Sequence, residues 1–178
     1  MAHASQRHFC NRVKYKYEQF FKDARVLDCG SLDINGSNRD LFEDCNYTGI
    51  DLGEGKNVDI VSSIHQFYAA DSTYDTIIST ECFEHDMHYA ESLRNIVRML
   101  RSGGLFLFTC ATTGRPEHGT TRTSTDDAPL LPEGWNDYYK NLTEQDIREV
   151  LDIEDTFSEF GFEVCKYPAD LYFWGIKK

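Results

Sequence analysis

Residues 25–36, RVLDCGSLDING, set the tightest limit on what this chain can fold into. Val26, Leu27 and Cys29 make a short apolar run, Gly30 breaks it, and polar turn formers follow as far as Gly36. A buried strand that stops at a glycine-containing turn and then enters a helix is the opening unit of a nucleotide-binding α/β sheet. The glycine matters because a backbone without a Cβ can approach a ligand closely. Asp28 lies inside the strand end, where a carboxylate needs hydrogen-bond partners.

A second apolar stretch, Tyr47-Thr48-Gly49-Ile50, ends on Asp51, 23 positions after Asp28. A carboxylate that binds ribose hydroxyls is expected about 20 residues after the first turn. Neither GxGxxG nor GxxxxGK[ST] occurs, which argues against a dinucleotide and against a nucleoside triphosphate. Apolar patterning predicts further strands near residues 59–63, 74–79 and 105–110, and two closing strands at 157–165 and 171–176, joined through Pro168-Ala169-Asp170. Helices are expected over residues 4–21 and 37–43, over a stretch with Leu93, Ile96, Val97 and Leu100 as its buried stripe, and from a Thr143 cap to Leu151. Residues 111–141 carry no clear period, and a loop of that length in a compact fold is functional or mobile.

The pieces VLDCGSLDING, YTGIDLG, DTIISTECFEH and LRSGGLFLFT stand in the order found in the class I S-adenosylmethionine-dependent methyltransferases, which this chain resembles between about residues 25 and 109. In that family the first loop commonly reads acid-x-Gly-x-Gly-x-Gly; here Leu32 and Ile34 stand at the second and third glycines. The resemblance implies a Rossmann-like, doubly wound α/β sheet of about seven strands, mostly parallel, with one antiparallel strand near the C-terminus. It implies S-adenosyl-L-methionine as cofactor, contacted by Asp28, Gly30, Ser31, Asp51, Leu52, Ser63, Ile64 and Thr80. Ser63 takes the place of an acid that often bonds the adenine amine in the family. The helix before the first strand often lies over the cofactor cleft, so residues 1–24 are a candidate lid as well as a cover for one sheet face.

The densest chemistry is STECFEHDMHY, where the fourth strand hands over to the next helix. Ligands of open α/β sheets sit at such strand ends. A sulfonium methyl is already activated, and an oxygen acceptor then needs its proton removed. His85 and His118 are the candidate bases, because imidazole titrates near neutral pH, with Glu81 or Glu84 orienting one of them. Glu81, Glu84, His85 and His118 also have the ligand types of a divalent metal site. That set resembles a pattern in the ubiquinone-pathway O-methyltransferases and in the enzymes that modify the 2′-hydroxyl at small-RNA 3′ ends. Arg115, Tyr138 and Tyr139, with Trp135, are the candidate substrate contacts on the 111–141 loop, and suggest a hydroxylated or anionic small molecule.

Composition bounds the rest. At 178 residues the chain is expected to form a single domain, 1–178. Its net charge is −12, and the basic residues that balance it least badly lie at the start, with six basic and two acidic side chains in residues 1–26. A nucleic-acid-binding domain usually presents a basic face, so a polyanionic partner is disfavoured. No apolar run reaches membrane-spanning length and the first residues lack an apolar signal core, which predicts a cytoplasmic protein with no membrane partner. The six cysteines show no CxxC or zinc spacing and read as reduced packing residues. Three functional classes follow. The first is a small-molecule methyltransferase acting at oxygen. The second is a methyltransferase of RNA 2′-hydroxyls or of protein, with an ExxEH metal site. The third is a non-catalytic cofactor-binding domain or another Rossmann-like enzyme such as an oxidoreductase. The missing GxGxxG and the Glu-His after the fourth strand count against the oxidoreductase.

Overall fold

A computed structural model describes residues 3–178. The strands are β1 (Arg25–Cys29), β2 (Asn46–Asp51), β3 (Ile60–Val61), β4 (Tyr74–Thr80), β5 (Leu100–Ala111), β6 (Phe157–Cys165) and β7 (Asp170–Lys177). The helices are α1 (Ala4–Lys16), α2 (Tyr89–Met99), α3 (Glu144–Val150) and α4 (Ile153–Thr156). All seven strands join one sheet, in the order β3-β2-β1-β4-β5-β7-β6. Neighbours from β3 to β5 pair in parallel, whereas β7 is antiparallel to both β5 and β6. The expected doubly wound sheet with one reversed strand is therefore present.

Period-2 alternation splits the core between two faces. Phe106 and Phe108 of β5 face a cluster with Leu27, Ile77, Leu93, Ile96 and Ile147, covered by α2 and α3. Leu105 and Leu107 face the other side, with Val26, Ile78 and the Phe9, Cys10 and Val13 stripe of α1. Both faces are buried, so the central strands read as nearly unbroken apolar runs, as parallel strands do.

Four elements differ from the sequence reading. Strand β5 begins at Leu100, which was expected on the buried stripe of the preceding helix but pairs with Tyr74 of β4. Helix α1 ends at Lys16, because Tyr17 leaves helical geometry, and a single 3-10 turn at Glu18–Phe20 follows. That turn delivers Phe20 and Phe21 to the sheet, and the Thr76 hydroxyl donates to the Phe20 carbonyl at 2.7 Å. The helix expected over residues 37–43 is only a 3-10 turn at Arg39–Leu41, with Leu41 its one buried residue. A segment with one buried side chain has too little apolar surface to hold several helical turns. Strand β3 is two exposed residues at the sheet edge, and Ser62 and Ser63 lie outside it. No helix among the described residues is long and apolar enough to cross a membrane, and all six cysteines are free thiols.

Chain order reverses between β1 and β4, since β1 leads outward to β2 and β3 while β4 leads to β5. The carboxyl ends of strands beside such a reversal are where open α/β sheets bind ligands.

Candidate active site

A cleft opens at that reversal, lined by Asp28, Gly30 and Ser31 after β1, by Asp51 and Leu52 after β2, by Ser63 and Ile64 after β3, and by Thr80, Glu81 and His85 after β4. Its walls are held by backbone bonding. The N–H groups of Gly30 and Ser31 both donate to the Ile50 carbonyl, at 2.9 and 3.1 Å. The Asp51 carboxylate accepts from Leu32 N at 3.0 Å and from Leu52 N at 2.7 Å. A carboxylate has about four lone-pair sites, so Asp51 keeps acceptor capacity toward the cleft. Asp28 accepts from the Tyr47 hydroxyl at 2.7 Å, and burial lifts its carboxyl to about 7. Asn95 on α2 fixes the β3 loop by donating to the carbonyls of Ile64 and Phe67, at 2.7 and 2.9 Å.

Gly30 adopts φ +80°, and a Cβ there would lie 2.6 Å from Cys82 Sγ. The space that glycine leaves open is thus filled by the β4 loop, while its backbone faces the cleft.

The long loop after β5 reaches across to the same cleft. Asp127 to Leu131 and Trp135 complete its lining. Leu130 packs against Gly53 in the turn after β2, and Trp135 packs with His65 and His88, at ring separations of 5.8 and 5.1 Å. The sequence reading gave this loop to the substrate; it also walls the side of the cleft formed by β2 and β3.

Two carboxylate clusters stand at the end of β4. In the first, Glu81 accepts from the Thr109 hydroxyl at 2.8 Å and faces His3 Nε2 at 3.5 Å and Arg115 Nη2 at 3.9 Å. Asp170 shares both cations, with His3 Nε2 at 2.8 Å and Arg115 Nη1 at 2.9 Å. Burial works against charge on His3 and on Glu81. The hydrogen bonds and charges win, raising His3 to about 9 and holding Glu81 below its usual range. In the second cluster, Glu84, His85 and His118 bring one ligand atom each within 4.8 Å of one another. Glu84 is wholly buried, and neither of its oxygens has a hydrogen-bond partner among the described residues. Burial, with Glu81 nearby, lifts Glu84 to about 8. Burial, with His118 nearby, pushes His85 down to about 3, and burial likewise lowers His118.

A family model described as a methyltransferase domain matches residues 1–167. The chain belongs to the class I S-adenosylmethionine-dependent methyltransferases. Solved structures with the same fold include the 1,6-didemethyltoxoflavin-N1-methyltransferase of Burkholderia thailandensis, bound to 1,6-didemethyltoxoflavin and S-adenosylhomocysteine. It has a TM-score of 0.69 and 16% identity, with 98% of this chain and 79% of that one covered. Phosphoethanolamine N-methyltransferase 2 of Haemonchus contortus, in complex with S-adenosylmethionine, aligns at TM-score 0.63 and 14% identity over 94% of this chain and 52% of that one. The CurJ carbon methyltransferase aligns at TM-score 0.66 and 15% identity over 97% and 54%. Among curated proteins none matches this chain in sequence.

Within this methyltransferase the expected site residues divide into three groups. Asp28, Gly30, Ser31, Asp51, Leu52, Ser63, Ile64 and Thr80 all line one cleft, and His85 and Glu81 line it as well. His118 joins His85 and Glu84, and Tyr139 packs on both imidazoles at ring separations of 5.5 and 5.1 Å. Arg115 lies outside the cleft lining, bound to Asp170 and to the Pro168 carbonyl, and Tyr138 is half-buried and also outside that lining. The sequence reading missed Asn38, Asp127, Leu130 and Asp170. Asn38 is buried and donates to the Thr80 hydroxyl at 3.4 Å. Asp170 carried a usable signal: an acid at the mouth of an apolar strand, as Asp28 is.

Proposed function

We propose that this chain transfers a methyl group from S-adenosylmethionine to an oxygen of a small-molecule acceptor. One juxtaposition supports this best: Asp51 and His85 line the same cleft, and His85 converges there with Glu84 and His118. The residues present fit the cofactor. Asp51 retains lone pairs for vicinal ribose hydroxyls. The Ser31 and Ser63 hydroxyls are buried without a partner among the described residues, one beside the β1 turn and one beside the β3 loop. Such groups are normally satisfied, and a polar ligand satisfies them.

When bound, S-adenosylmethionine supplies a methyl group already activated on a sulfonium. The protein's own residues hold the acceptor in line, keep water out and deal with the acceptor's proton. Leu130, Leu131 and Trp135 supply apolar lining to the cleft. His85 lines the cleft, converges with Glu84 and His118, and takes up the hydroxyl proton. Glu81 acts as a positioning residue, bonded to Thr109 and facing the cations that hold Asp170. Arg115 is committed to Asp170, so a hydroxylated acceptor fits better than an anionic one. Relatives named for 1,6-didemethyltoxoflavin and phosphoethanolamine support a small acceptor. The net charge of −12 weighs against a polyanionic one.

Thermal shift and calorimetry with S-adenosylhomocysteine and with NAD test the cofactor half. S-Adenosylhomocysteine should raise the melting temperature, and Asp51→Ala should weaken it at least about tenfold, or about 1.4 kcal/mol. Stabilisation by NAD alone would reject the reading. The oxygen half is tested by mapping the labelled methyl in product by NMR; a methyl on nitrogen or carbon would overturn it.

A further inference from the structure

We propose that Asp127 is a specificity-determining residue that reads the charge of the methyl donor, so that the cleft holds the cationic sulfonium cofactor more tightly than the neutral thioether left after transfer. An imbalance of charge carries this. Asp28, Asp51, Glu81, Asp86 and Asp127 line the cleft, and no Lys or Arg of the described residues does. A concave site lined by one sign of charge focuses its field on what enters.

Four of the five acids are answered by the protein. Asp28 accepts from the Tyr47 hydroxyl, and Asp51 from the N–H groups of Leu32 and Leu52. Glu81 accepts from the Thr109 hydroxyl and faces His3 and Arg115. Asp86 accepts from the Ser92 hydroxyl and from His88 N. Asp127 is half-buried at the end of a 3-10 turn, Thr125–Asp127, in the loop after β5, and its carboxylate has no hydrogen-bond or ion-pair partner among the described residues. Arg122, a cation of the same loop, is taken by Glu117 and Asp137.

The loop sets this free carboxylate near the reacting end. A Cβ on Gly119 would meet His85 Cε1 at 2.6 Å and Ala128 Cβ at 2.8 Å, so the residue after Asp127 and the His85 ring abut one point. Asp127 therefore borders the His85 part of the cleft, while Leu130 reaches Gly53 after β2. The inference rests on the methyl-transfer reading above, in which ribose lies at Asp51 and the acceptor oxygen at His85. The sulfonium then lies between them, in the stretch that Asp127 borders. A sulfonium has no N–H or O–H to donate, so charge alone holds it, and a carboxylate without a protein donor keeps its charge for that purpose. S-Adenosylmethionine is a net cation, with a sulfonium and an ammonium against one carboxylate. On transfer the C–S bonding pair stays on sulfur, the acceptor proton passes to His85, and the thioether product is neutral overall. The attraction lapses just when the product has to leave.

Calorimetry on the full chain with S-adenosylmethionine, S-adenosylhomocysteine and sinefungin tests this. Sinefungin bears an ammonium group on carbon where the methyl sulfonium would be, so it is cationic and has no methyl to give. At low salt both cationic ligands should bind at least about tenfold more tightly than S-adenosylhomocysteine, and the gap should narrow as salt is raised. Asp127→Asn keeps the shape and removes the charge; it should cut that preference at least about fivefold by weakening the cationic ligands alone. Asp127→Glu should retain the preference. Equal binding of all three ligands by the wild type, or a preference unchanged in Asp127→Asn, would overturn the assignment. So would a loss shared equally by the three, because Asp127 would then hold the adenine amine or the methionine ammonium that they have in common. Binding of none of the three would reject the cofactor reading, and this assignment with it.

Discussion

The two carboxylate clusters at the end of β4 begin three residues apart in sequence and are built on opposite principles. Glu81 and Asp170 are neutralised by His3 and Arg115, and most of their polar atoms meet a partner. Glu84, His85 and His118 meet one another with their donor atoms left open. The carboxylates of both groups are buried, so the difference between them lies in supply of partners and not in exposure. A matched cluster ties elements together, here α1, β4, β7 and the long loop. An unmatched one holds polar groups ready for something the protein binds.

The largest effect should come from breaking the matched cluster. Arg115→Ala leaves two buried carboxylates with only His3 to balance them. Removing one partner of a buried pair costs about 3–5 kcal/mol, read as a lowered midpoint in denaturant. A loss under about 1 kcal/mol would show that the clusters do not differ in this way.

Gly119→Ala probes the unmatched cluster. The new methyl meets His85, and the left-handed backbone is strained by about 1–3 kcal/mol. Methyl transfer should fall further than stability does, because the loop must withdraw His118 from its partners. Equal proportional losses in turnover and in folded fraction would argue that this cluster is merely structural.

The smallest effect separates the clusters by pH. His3 is raised from 6.5 to about 9 in the folded chain, so the folded state binds more proton between those values. Its stabilisation is fully present below about 6.5 and is lost as pH rises through about 9. His3→Ala should therefore lower the melting temperature near pH 6 and match the wild type near pH 10. A gap that is constant across that range would show that the His3 ion pairs contribute nothing.

Much of the cleft's lining is legible in the sequence. The place of Asp51 beside the end of β1 follows from its distance after Asp28, because a parallel sheet with short loops places successive strand ends side by side. The loop after β5 was recognised from its lack of period, but its reach to Gly53 was not, since Leu130 carries no local mark of what it will touch. Glu81-x-x-Glu84-His85 looked like one ligand set. In the structure Glu81 has φ +54°, a left-handed turn at the strand end, and its side chain joins Asp170 on β7, while Glu84 follows in a 3-10 turn and faces His118.

The sequence by itself determined the strands, their buried faces, the glycine turn and the acid at the end of β2. Each of these depends on patterns a few residues long, and alternation, chirality and backbone reach act at that range. Which carboxylate meets which cation was decided only by the tertiary structure. Residues 3, 81, 115 and 170 are brought together by the order of strands in the sheet, and electrostatics between groups so far apart along the chain is set by where the fold puts them.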